Sequence, residues 1–117
     1  MIQYYRDIIE KAYDSFNARD IDAVLLLMHT DVHWPNGWEG GYVNGHAEVR
    51  DYWTRQWKEL NPKVTPVSFK ETIDGAIEVT VYQVVKDLKG TLLFDGMVKH
   101  KYQFAGEKIK SMEIEKS

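Results

Sequence analysis

Three side chains in the second half of this 117-residue chain have the chemistry to move or hold a proton, His100, Gln83 and Asp95. His100 is the leading one, because an imidazole titrates near neutral pH and can donate, accept or transfer a proton. It sits in the alternating run Leu92, Phe94, Gly96, Val98, His100, Tyr102 and Phe104, which shares one face of a strand. A histidine on so apolar a face is placed to work in a half-dry pocket. The competing reading is a core histidine bonded to a backbone carbonyl or to Tyr13. Gln83 breaks a second apolar face, Ile77, Val79, Val81 and Val85, and would stand near His100 if the two strands are neighbours, a structural amide being the competing reading. Asp95 has the opposite parity and reaches that face only if Gly96 carries a bulge. His29 and His33 are four apart, a metal-ligand spacing on a helix, but Asp31-Val-His-Trp-Pro reads as the start of a strand and the glutamate of HExxH is missing. No metal site is expected. The chain has no phosphate loop, dinucleotide fingerprint or nucleophile elbow, and no cofactor is expected.

Around these groups stands a concentration of aromatic rings. The stretch from Asp31 to Trp57 contains all four tryptophans, two of seven tyrosines and two of four histidines. Large stiff rings crowded into one segment wall a core or a cavity. The expected lining is Tyr13, Phe16, Trp34, Trp38, Tyr42, Trp53 and Trp57, with Val81, Val98 and Tyr102 from the strands. Trp53 and Trp57, at helical spacing, also read as packing. Trp38 lies in a glycine-rich loop and is the ring expected to face a ligand, a lid or a dimer contact being the alternatives.

The elements that must position these residues are legible in the periodicity. Tyr5, Ile8, Ile9, Ala12, Tyr13 and Phe16 recur at three- and four-residue steps, predicting a helix over 3–17. Asp20 is a plausible N-cap for a shorter helix over 21–28. Pro35 and the glycines at 37, 40 and 41 break regular structure between two short extended pieces. Asn44-Gly45 then opens a third helix, with Val49, Tyr52, Trp53, Gln56, Trp57 and Leu60 on one face. From Val64 the period becomes alternating, and Asp74-Gly75, Lys89-Gly90 and Gly106-Glu107 mark turns between strands. Helices followed by strands predict an α+β fold, a curved antiparallel sheet covered by three N-terminal helices and open at one end like a cone.

Composition bounds the rest. One domain over residues 1–117 is expected. The absence of cysteine removes disulfides and thiolate sites, and no signal peptide or membrane span is read, so a cytoplasmic location is expected. A formal charge of −3 and a pI near 5.8 argue against a nucleic-acid partner. Tyr82, Val84, Leu93 and Met97 make the outer sheet face apolar, which predicts a homodimer packed sheet to sheet.

The strings FNARDIDAVLLLMHTDVHWP, WEGGYVNGHAEVRDYW and DGMVKHKYQFAGEKIKSMEI, in that order, resemble the nuclear transport factor 2-like superfamily and its SnoaL-like, ketosteroid isomerase-related group. The resemblance spans essentially the whole chain and implies a cystatin-like roll. The activities it implies range over isomerases, cyclases, dehydratases, hydrolases and non-catalytic members. In the isomerase, the general base is an aspartate just before a proline at the end of the first strand. Trp34 stands in that position here, and a tryptophan cannot take a proton from a carbon acid. By the same resemblance His100 falls where the isomerase keeps its oxyanion-stabilising acid and where cyclases keep an acidic residue on a late strand. Tyr13 neighbours the position of the isomerase's tyrosine. The expected function is binding of a small apolar or cyclic molecule, with cofactor-free proton transfer by His100 helped by Gln83 and Tyr13. A non-catalytic binding or interaction module is the alternative.

Overall fold

The computed structural model describes residues 2–115. Helix α1 (Ile2–Asn17) and helix α2 (Ile21–Leu25) lead into strand β1 (Met28–Pro35) and the short strand β2 (Tyr42–Asn44). Helix α3 (Gly45–Gln56) follows, and then β3 (Leu60–Glu71), β4 (Ile77–Asp87), β5 (Leu92–Ala105) and β6 (Lys108–Glu115). The strands form one six-stranded sheet in the order β2-β1-β6-β5-β4-β3. Pairing is antiparallel except between β1 and β6, which run parallel and bring the first strand beside the last. The fold is the α+β arrangement expected, a curved sheet with its helices N-terminal. Among the described residues, no helix is long and apolar enough to cross a membrane.

Local chemistry explains most of the boundaries. Asp20 caps α2 by accepting from the Ala23 N–H at 3.1 Å. That helix stops at Leu25, short of the expected end, because Met28 is taken into β1. Asn44 precedes α3, but its side chain accepts from His33 Nδ1 at 2.7 Å instead of capping. Glu48 Oε1, one turn into the helix, accepts from the Asn44 N–H at 2.8 Å. The third helix ends at Gln56, so Leu60 belongs to β3 and not to the helical face on which periodicity placed it. Pro62 and Pro66 are tolerated within β3 because it is an edge strand, where a missing N–H costs no ladder bond.

Arg19 fastens the helical layer to the sheet edge. It adopts a left-handed backbone, with φ of 64°, at the turn between α1 and α2. From there its guanidinium donates to the carbonyls of Phe16 and Pro62 and to Asn61 Oδ1. The same group lies over the Trp57 ring at 5.0 Å and the Phe16 ring at 5.6 Å. Asn17 adds a reciprocal pair with the backbone of Val64 at 2.7 and 3.0 Å. The core enclosed between helices and sheet contains Ile9, Tyr13, Val24, Val32, Val49, Trp53, Ile77, Val79, Val81, Tyr102 and Ile109.

Candidate functional site

The curvature of the sheet and the three helices leave a cavity of about 560 Å³ between them. Its size falls in the range of small-molecule sites. Tyr13 and Phe16 reach it from α1, Trp53 from α3, Trp34 from the end of β1, and Gln83, Val98, His100 and Tyr102 from β4 and β5. Among the described residues, no Asp, Glu, Lys or Arg lines it.

Besides the Tyr52–Gln56 pair, two polar poles interrupt the apolar wall. At the first, the Tyr13 hydroxyl and His100 Nδ1 are 2.8 Å apart and buried. The Tyr13 hydroxyl also interacts with that of Tyr102. His100 Nε2 has no hydrogen bond to any described residue. Burial pushes the His100 imidazole down to about 4, so it is neutral at pH 7. Burial likewise pushes the Tyr13 and Tyr102 hydroxyls up, and they stay protonated. The pole is therefore a neutral chain of hydroxyl, hydroxyl and imidazole that can donate to, or accept from, one ligand oxygen.

Gln83 forms the second pole. The expectation that it stands beside His100 is corrected by the register, which pairs His100 with Val79 and Gln83 with Gly96. Four residues of strand separate the two, roughly 13 Å at about 3.3 Å per residue. Gln83 lines the mouth, with Val85 and Phe94 nearby on the lining, and has no hydrogen-bond partner among the described residues. Gly96 lets the Phe94 ring lie over it, since a Cβ there would meet Phe94 Cζ at 3.3 Å.

The loop over the mouth is built on Asn36, which is 7% exposed. Its Oδ1 accepts from the N–H groups of Trp38 and Glu39 at 3.1 and 2.7 Å, and its backbone bonds both Gly40 and Gly41 at 2.9 Å. The positive φ of 90° at Gly40 and 74° at Gly41 makes so tight a turn accessible. Arg55 of α3 then holds both oxygens of Glu39 at 2.9 Å and Asp51 at 3.0 Å. The guanidinium, with help from Asn36, keeps the exposed Glu39 carboxyl below its usual range. Trp38 is thereby set on the cavity lining from the loop side.

The structure moves several expected residues. Asp95 is on the outer face, because β4 and β5 stay in register through Gly96 and no bulge forms there; it bonds the Tyr82 hydroxyl instead. Tyr42 is outside as well, stacked on His33 at 4.2 Å and donating to Glu113 Oε2. Trp57 lies behind the wall, stacked on Trp53 at 5.8 Å, with its buried Nε1 unpartnered among the described residues. Val81 is fully buried in the core beneath the cavity surface. Leu93 leaves the outer face on which alternation put it. The register shifts where Val85 pairs Phe94 and Lys86 pairs Leu92, so Leu93 is an extra residue and joins Phe94 on the lining. His29 and His33 are on a strand, where His29 Nδ1 accepts from the Asp31 N–H at 3.0 Å.

Sequence reasoning passed over Tyr52 and Gln56, which line the cavity and share a 3.2 Å hydrogen bond. Their helical spacing with Trp53 was a usable signal. Met112 and Ile114 were also missed, since only the pairing of β6 with β5, Tyr102 to Met112 and His100 to Ile114, brings them to the site.

A curved sheet around such a cavity under three N-terminal helices defines the nuclear transport factor 2-like class of fold. The chain belongs to the SnoaL-like domain family, which matches residues 9–112. Solved structures agree with this over nearly the whole chain. TerC, co-crystallised with polyporic acid, is 27% identical with a TM-score of 0.83, over 97% of this chain and 92% of that one. A nuclear transport factor 2-like protein of unknown function from Burkholderia pseudomallei is 21% identical with a TM-score of 0.83, covering 97% and 91%. A protein of ketosteroid isomerase-like fold from Catenulispora acidiphila, in complex with trimethylamine, is 16% identical with a TM-score of 0.80, covering 94% and 85%. Comparison with curated proteins gave no match.

Proposed function

We propose that this protein, as one cytoplasmic domain, binds a small ring-bearing organic molecule in the cone and carries out cofactor-free proton-transfer chemistry on it. The observation that carries the reading is a roomy cavity without charged lining in which His100 keeps a free Nε2. An anion or cation in such a cavity would lack a counter-charge, so an uncharged ligand with a carbonyl or ring oxygen suits it best. His100 serves as the acid/base or oxyanion-binding group, with Tyr13 orienting it. Gln83 meets a second polar group at the far end of the ligand, and Trp34, Trp38 and Trp53 hold the ring between them. Polyporic acid, co-crystallised with the 27% identical TerC, supports a small organic ligand in the cone.

A panel of polyporic acid, cyclic ketones, lactones and steroids, read by thermal shift and tryptophan fluorescence, tests this. A ligand at a hundred times its Kd stabilises the fold by about 2.7 kcal/mol. In a domain of this size that raises Tm by on the order of 10 °C. The expected hit quenches tryptophan and weakens in His100→Gln. Silence across the panel would leave a non-catalytic module as the better reading, which the tryptophan before Pro35 and the lack of any carboxylate on the lining already favour.

A homodimer through the outer faces of β4 and β5 is part of the same proposal. Tyr82 and Met97 are 38% and 42% exposed there beside Val84, framed by the Lys99–Glu78 and Lys101–Asp74 ion pairs. Leu93, turned to the cavity mouth, drops out of that surface. A sedimentation mass of one chain at micromolar concentration would rule the dimer out.

A further inference from the structure

We infer that the mouth of the cavity is a second binding subsite, built by the amides of Gln83 and Gln56, for a neutral hydroxyl or carboxamide at the outer end of a ligand of two or more rings in line. The inference rests on the ligand-binding reading above and specifies its ligand class. Gln83 reaches the lining from β4 in the sheet, and Gln56 reaches it from the last turn of α3 in the helical layer. The chain itself puts both at one end of the cone. Gln56 leads within a few residues to Leu60, which pairs with Asp87 at the end of β4, and Val64 on the same edge strand pairs with Gln83. Leu60 and Val64 lie on the lining as well.

The two amides offer different bonds. Gln56 Nε2 donates to the Tyr52 hydroxyl at 3.2 Å, which anchors the amide and leaves Oε1 as an acceptor for a ligand. Gln83 has no hydrogen-bond partner among the described residues. Its cross-strand neighbours, Val64 and Gly96, have no polar side chain to give it one. It presents a donor and an acceptor together. A hydroxyl or a carboxamide also carries both and suits either amide, whereas an ether has no donor for Gln56 Oε1.

Desolvation makes the mouth selective. An apolar ligand end placed there would displace water from Gln83 without replacing its hydrogen bonds, and an amide left unpaired costs free energy. A hydroxyl restores the bonds. A carboxylate would find no counter-charge, since among the described residues no Lys or Arg lines the cavity and the Arg55 guanidinium is taken up by Glu39 and Asp51. The length of the ligand follows from the register. Val79, opposite His100, and Gln83 are separated by four residues of strand, roughly 13 Å at about 3.3 Å per residue. One ring cannot touch both poles, and two in line can, with Trp34, Trp53, Val98 and Phe94 as the apolar wall between them.

Isothermal titration calorimetry at pH 7 with biphenyl-4,4′-diol, its monomethyl ether and 4-phenylphenol tests the subsite. 4-Phenylphenol supplies an oxygen for the inner pole and nothing for the mouth. The proteins are wild type, Gln83→Met, Gln56→Met and the double variant, since methionine keeps the unbranched shape and removes the amide. Wild type should bind the diol about 3- to 10-fold more tightly than the other two, the scale of one neutral hydrogen bond. That preference should shrink in each single variant and vanish in the double one, with the affinity for 4-phenylphenol unchanged. 4′-Hydroxybiphenyl-4-carboxylate should bind more weakly than the diol. Equal affinity of wild type for the diol and 4-phenylphenol overturns the subsite, as does a preference that persists in the double variant or a carboxylate that binds more tightly. A double variant that loses 4-phenylphenol too gives the amides a structural role and also overturns it. Each of these leaves the binding reading intact. If no biphenyl binds while cyclic ketones, lactones or steroids do, the class of rings in line is wrong. If nothing in either panel binds, both readings fall.

Discussion

Trp53→Ala should lower stability by about 3–5 kcal/mol, the range for emptying a buried large aromatic site. Trp53 is 2% exposed and meets rings on three sides. Phe16 of α1 approaches edge-on at 5.3 Å, Trp34 of β1 edge-on at 5.8 Å, and Trp57 stacks at 5.8 Å. Each edge-to-face pair adds roughly 0.5–1.5 kcal/mol beyond the area it buries. The cluster joins the first helix, the first strand and the third helix, so its loss is not made good by relaxation of one element. Against a typical total of about 5–15 kcal/mol, such a loss is a large share of the whole. Urea unfolding would show a lower midpoint at unchanged slope. Trp57→Ala is the internal comparison. That ring is half-buried, and its indole N–H is buried without a partner among the described residues, so deleting it removes an unpaired donor along with the packing. A Trp53→Ala protein less affected than Trp57→Ala would show that Trp53 is not the centre of the cluster.

Stability should also fall on acidification because of His100. Its pKa is about 4 in the folded protein and about 6.5 in the unfolded chain, where burial no longer penalises the cation. Between those values the unfolded state binds more protons, so stability rises with pH. The contribution is complete above pH 6.5, declines as pH falls through that window, and levels off below 4. A shift of this size corresponds to roughly 3 kcal/mol at most, at 1.36 kcal/mol per unit. Carboxylates held low, such as Glu39 and Asp74, lose their own contributions only at lower pH. His100→Gln offers the Tyr13 hydroxyl a polar partner and does not titrate, and comparing it with wild type from pH 8 to 4 isolates the histidine. Parallel stability curves for the two proteins would mean that His100 is better solvated than its position implies.

Much of the architecture was legible from local chemistry. The apolar spacing of Ile9, Ala12, Tyr13 and Phe16 defines the inner face of α1, and Asp20 caps α2 as its type and position suggested. Strict alternation placed His100 on the inner face of β5 and Tyr82 on the outer one. The helix and strand periods differ, so the switch near residue 60 is written into the order of side chains. Element ends were less legible. Leu60 satisfies a helical face as well as a strand position, and only its pairing with Asp87 of β4 assigns it.

The candidate site divides along the same line. The residue types, an inward imidazole on an aromatic strand and a glycine loop carrying Trp38, were determined by the sequence alone, because parity and turn chemistry are local. What surrounds those groups was decided by the tertiary structure. The register of β4 against β5 put Val79 opposite His100 and moved Gln83 to the mouth. The extra residue at Leu93 brought that side chain to the cavity lining, and the unbulged Gly96 kept Asp95 outside. The packing of α1 against the sheet joined Tyr13 to His100 across 87 residues of chain. Periodicity reports which way a side chain faces; register, bulges and long-range packing decide what it meets, and they depend on strands and helices that are distant in sequence.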